Sequence, residues 1–141
     1  MDIVFTGATG VHQALLAAHI YLGQLNDTDF SYIKGLADLD LDSLGEPIFV
    51  GEDSAGNHVY TLGLGQVEIG WKAVNNFLDV AEVSSDRLHM LKVKVPFENV
   101  LSYGHIIRKL PMGERLNWII SKWILKRSFS DIIGQVNQLM K

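Results

Sequence analysis

Seven consecutive residues, Thr6-Gly7-Ala8-Thr9-Gly10-Val11-His12, gather the groups needed to hold an anionic oxygen. Glycines let a backbone come close to a phosphate or carboxylate and adopt a positive φ. Thr6 and Thr9 add hydroxyl donors. His12 carries a ring that titrates near neutrality, suited to donating to an oxyanion or moving a proton. A helix starting here would add about four unpaired N–H groups and the positive end of its dipole. The chemistry expected is capture of a phosphate- or carboxylate-bearing small ligand by Thr6, Gly7, Thr9, Gly10 and His12. His12 is also the candidate acid or base.

Such a loop works only if a strand delivers it and a helix leaves it. Residues 2–6 (Asp-Ile-Val-Phe-Thr) are apolar and β-branched, as in a buried strand. Val11, Leu15, Ala18, Leu22 and Leu25 recur at helical spacing. Residues 26–46 are acidic and punctuated, and read as a solvated connection with one short helix. Two β-rich runs, from Pro47 to Val50 and from His58 to Leu62, flank the turn-rich Glu52–Asn57 and predict an antiparallel hairpin. Val67, Trp71, Val74, Leu78 and Ala81 mark a helix from about Gln66 to Val83. Leu88–Val95 alternates as a strand, and a helix is expected over Glu98–Leu110. Leu116–Leu125 fits either a helical face or a strand. The alternation of strands and helices elsewhere favours a strand in its later part. A helix to about Met140, capped by Ser128 or Ser130, closes the chain.

The expected fold is therefore α/β: a single three-layer domain over residues 1–141. Its sheet is mixed and mostly parallel with one β-hairpin, and a Rossmann-like strand–Gly-loop–helix opens the chain. A length of 141 residues with 48% hydrophobic content suffices for a core without staples. The absence of cysteine excludes disulfides, thiolate metal sites and a cysteine nucleophile. No histidine has partners at ligand spacing, so no metal is expected, and no cofactor is assigned. Met1–Phe5 lacks the basic and long apolar regions of a signal peptide, and no apolar run spans a bilayer, so a cytoplasmic protein with no membrane contact is expected.

Charge is divided unevenly. Residues 1–86 hold two Lys/Arg and thirteen Asp/Glu, a net of −11, whereas residues 87–141 hold ten and three, a net of +7. Either the two parts neutralise each other, or they present opposite surfaces to a partner or second copy. If a last strand ends near residue 125, Arg127 and Ser128 follow it, and strand–helix loops converge at the carboxyl ends of parallel strands. Arg127 and Ser128 join the candidate ligand set on that ground. A sequence pI near 5.6 and the lack of interleaved basic and aromatic residues argue against nucleic acid.

The first loop resembles the T-G-A-T-G-x-x-G fingerprint of short-chain dinucleotide-binding dehydrogenases through Thr6–Gly10, but Gln13 stands where the last glycine belongs. No Tyr is followed four residues later by Lys, and no Gly-Lys-Ser/Thr or G-x-S-x-G motif occurs. The layout as a whole is similar to a family of small uncharacterised proteins, a domain of unknown function, from spore-forming and related Gram-positive bacteria. The resemblance rests on Gly10-x-His12, Ile48-Phe49-Val50-Gly51, Asp53-x-x-Gly56-Asn57 and Val59-Tyr60-Thr61-Leu62-Gly63. It implies no activity, but it draws attention to His12. Two readings stand: an anionic small-molecule site at the first loop, or a non-catalytic regulatory or interaction module, with a homo-oligomer or another protein as partner.

Overall fold

A computed structural model describes all residues from Met1 to Lys141. The strands are β1 (Asp2–Gly7), β2 (Ile48–Glu52), β3 (His58–Gly63) and β4 (Leu88–Lys92). They form one sheet in the order β2-β3-β1-β4. β1 runs parallel to both neighbours, with Val4 opposite Tyr60 and Met90, and β2 is antiparallel to β3. The hairpin is as the turn chemistry predicts. Asp53 accepts from the amides of Ala55 and Asn57, from the Asn57 side chain and from the Tyr21 hydroxyl. The Asn57 hydrogen bonds hold its carboxyl down at about 2.

Seven helices accompany the sheet: α1 (Gln13–Tyr21), α2 (Leu39–Ser43), α3 (Val67–Val80), α4 (Glu98–Ser102), α5 (Gly104–Ile107), α6 (Gly113–Arg127) and α7 (Phe129–Leu139). Gln13 to Ala18 of α1 are all buried, as in a helix apolar on every side. Ile3, Phe5, Val59, Leu91 and Val93 pack with Leu15, Leu16, Ile124, Leu125, Ile132 and Val136 in the main core. One face of the sheet is thus closed by α1, α6 and α7. α3 is the crossover from β3 to β4, passing β1, and its Trp71 ring lies 5.8 Å from Lys92 Nζ.

Two expectations fail. The later part of Leu116–Leu125 is helix, not strand, so the sheet has four strands. Asn117, Ser121, Ile124 and Leu125 are the buried residues there, a helical repeat of three to four. The strand expectation rests on the alternation of strands and helices elsewhere, and the apolar residues do not correct it, because Leu116, Ile119 and Trp123 face solvent while polar Asn117 and Ser121 face inward. Consequently Arg127 is the last residue of a helix and Ser128 the junction to the next, and neither follows a strand. The Glu98–Leu110 helix also divides, at Tyr103. A side chain at the next position, Gly104, would stand 2.7 Å from Asn117 Oδ1 and 2.8 Å from Leu39 Cδ1. The bare backbone there lets α6 and α2 close in.

Candidate functional site

β1 ends at Gly7 and α1 begins at Gln13, so the glycine loop lies at the carboxyl end of the central strand. β3 ends beside it at Gly63. The Leu64 amide donates to Gly7 O at 2.9 Å and the Gly65 amide to Ala8 O at 3.0 Å. The crevice between adjacent parallel strands, a usual ligand position, is therefore sealed by backbone. Gly10 and Gly63 make this approach possible. A Cβ on Gly63 would sit 2.9 Å from the Gly10 amide nitrogen, and one on Gly10 would sit 3.0 Å from that of Gly63. Neither Gly7 nor Gly10 takes a positive φ, so their value is close approach, not left-handed geometry.

His12 is fully buried at the start of α1. Its Nδ1 is hydrogen-bonded with the Thr9 hydroxyl, and its Nε2 with the Ser121 hydroxyl at 3.2 Å. Loss of hydration disfavours a charged ring there and lowers its pKa to about 4, so the imidazole is neutral at physiological pH. One ring nitrogen donates and the other accepts, and the two hydroxyls supply the complements. The inward-facing Ser121 of α6 is the partner that sequence reading missed. Thr6, also buried, donates to Leu91 O at 3.2 Å and ties β1 to β4.

The loop amides end on carboxylates of the chain itself. Gly10 N donates to Asp42 Oδ1 at 2.7 Å, and Ala8 N donates to Glu98 Oε1 at 2.8 Å. Gln13 Nε2 reaches the same Glu98 oxygen at 2.6 Å. Gln13 therefore replaces the third glycine of a dinucleotide fingerprint with an amide that brackets a carboxylate. A Cβ on Gly7 would lie 2.6 Å from Gln13 Nε2, so Gly7 makes room for that side chain. Gln13 Oε1 is buried without a partner. Burial raises the pKa of Asp42, opposed by the Gly10 amide.

Glu98 also lines an open cleft of about 800 Å³ beyond the ends of β3 and β4. Lys92, Lys94 and Gln66 share that lining, with Ser102 and Tyr103 of the α4–α5 region. Lys92 pairs with Glu68 at 2.5 Å, while Lys94 stands 3.7 Å from it. Gln135 of α7 clamps the Lys94 backbone, accepting from its amide at 2.9 Å and donating to its carbonyl at 2.7 Å. Arg127 is exposed, its guanidinium 5.5 Å from the Trp123 ring. Ser128 is buried at the α6–α7 junction. No hydrogen bond joins either residue to the loop; what α6 brings to it is Ser121. No three His, Asp or Glu side chains come together to hold a metal ion. No helix is long and apolar enough to cross a membrane.

Fold and site together define a small mixed α/β protein whose glycine loop is closed over its own carboxylates beside a lysine-bearing cleft. The chain belongs to the family described as protein of unknown function (DUF3189), whose model matches residues 2–141. No curated protein and no solved structure matches it.

Proposed function

We propose that the protein binds a small ligand carrying a phosphate or carboxylate group. The ligand enters the cleft of Lys92 and Lys94 and presents its anionic oxygen to the Thr6–Gly10 loop at the Ala8 amide. One observation carries this reading. The Ala8 and Gly10 amides already bind carboxylate oxygens, so the loop has the geometry an anion needs. Glu98 holds the ligand's place from the cleft side and gives way to it, leaving the Ala8 amide and Gln13 Nε2 to the incoming group. His12 sets the loop from beneath through Thr9, and any proton it moves passes to Thr9 or Ser121. In this reading the loop is Rossmann-like in purpose, with α1 and α3 on opposite faces of the sheet as a three-layer arrangement requires.

Thermal-shift assays with phosphate, sulfate, nucleotides and sugar phosphates test the reading. A ligand at about 100 times its dissociation constant stabilises the fold by about 2.7 kcal/mol. The shift should shrink in Lys92→Ala and Lys94→Ala. It should grow in Glu98→Gln, which removes the competing charge. Absence of any shift, in wild type and in Glu98→Gln alike, would reduce the loop to a structural turn.

A further inference from the structure

Two exposed apolar surfaces carry opposite charge, and neither has a partner within the chain. α3 has two apolar sides. At about 100° per residue, Val67, Trp71, Val74 and Leu78 share one arc, and all four are partly covered, as are Gly70 and Asn75. Ile69, Ala73, Phe77 and Val80 fall within a separate arc of about 80° by the same count. That second stripe faces solvent: Ile69 is 65% exposed, Phe77 69% and Val80 85%. A helix resting on a sheet needs only one apolar side, so the outer stripe is surplus to the fold.

The second surface is a groove of about 320 Å³ lined entirely by apolar side chains. Phe97 and Val100 form one wall, and Ile119, Ile120, Trp123 and Ile124 of α6 the other. Ile119 is 56% and Trp123 55% exposed.

Charge identifies the occupant. From residue 67 to 86 the chain carries four acids (Glu68, Asp79, Glu82, Asp86) and one cation, Lys72. α6 carries four cations (Arg115, Lys122, Lys126, Arg127) and one acid, Glu114. Glu68 is already paired with Lys92 and Lys94, whereas Asp79, Glu82 and the cations of α6 enter none of the molecule's four ion pairs. Arg115, Ile119, Trp123 and Arg127 repeat every four residues, so cations stand at both ends of the apolar line. Pairing two α6 grooves would set like charges together, as would pairing two α3 stripes. An α3 stripe against an α6 groove matches apolar to apolar and acid to base.

We propose that the chain associates with a second copy of itself, the outer stripe of α3 in one copy seating on the Phe97–α6 groove of the other. Sedimentation velocity across a micromolar concentration series should show assemblies larger than the monomer, weakened by high salt because the flanking pairs are exposed. Phe77→Asp and Trp123→Glu should each weaken association by at least about tenfold. Both positions are exposed, and circular dichroism should confirm that the fold survives. Mixing the two variants should restore association, because one intact stripe then meets one intact groove. A wild-type monomer at every concentration would overturn the proposal. So would association abolished by only one substitution, or variants that fail to rescue each other. These outcomes are independent of the anion assays.

Discussion

Gly10 and Asp42 lie 32 residues apart in sequence, yet the amide of one meets the carboxylate of the other at 2.7 Å. The contact fastens the end of α2 to the glycine loop and supplies an acceptor for an amide that would otherwise be unpaired near the core. Asp42→Ala should cost about 1–3 kcal/mol, the range for leaving a buried donor without its partner. Asp42→Asn keeps an acceptor and should cost less. Because burial raises the Asp42 pKa, the native state binds its proton more tightly than the unfolded chain does. This group alone therefore makes stability fall as pH rises through the interval above the ordinary aspartate value. Urea denaturation of wild type and Asp42→Asn at several pH values checks both statements.

His12 acts in the opposite direction. With its pKa lowered from 6.5 to about 4, the unfolded state takes up a proton in that interval and the native state does not. Stability should be fully present above pH 6.5 and decline as pH falls toward 4, by about 3 kcal/mol at most. His12→Gln, if it folds, should flatten that part of the curve. Asp53 titrates lower, at about 2, so its hairpin contribution is lost only in more acidic solution. An acid titration followed by circular dichroism separates the two.

Gly63→Ala should be among the more damaging single-methyl changes. The new Cβ would stand 2.6 Å from Asp42 Oδ1 and 2.9 Å from the Gly10 nitrogen. Both loops are tied by backbone bonds and cannot part freely, so a cost of about 1–3 kcal/mol is expected. Gly134→Ala is the control, since nothing lies within 4 Å of a Cβ there. Melting temperatures of the two variants decide the point.

What was legible in the sequence was what local pattern encodes. β1, the hairpin and α3 follow from β-branched runs, turn residues and helical spacing. The later part of α6 reads as a strand only from the alternation of elements elsewhere, and its own residues give no clear apolar face, because Asn117 and Ser121 turn inward with Ile124 and Leu125 while Ile119 and Trp123 face solvent. Thr6–His12 was recognisable as a loop with chemistry. Its real partners, Asp42, Glu98 and Ser121, were not, since each reaches it from a distant segment with no local signal. Residues 26–46 read as a solvated connection, which holds for the exposed Asp27, Asp29 and Asp40, whereas Asp42 is half-buried and Phe30, Ile33, Leu36 and Leu39 are buried.

β1 is the earliest strand in the chain and the inner strand of the parallel set, paired with β3 and β4. During synthesis it must wait for residues near 58–63 and then near 88–92 before its two edges are covered. The β2–β3 hairpin, whose strands are close in sequence, can assemble well before that. Such non-local parallel pairing slows folding and leaves an apolar strand open in the meantime. Asp2–Gly7 is thus the segment where a nascent or heat-stressed chain is most open to aggregation, and where a chaperone would first be needed.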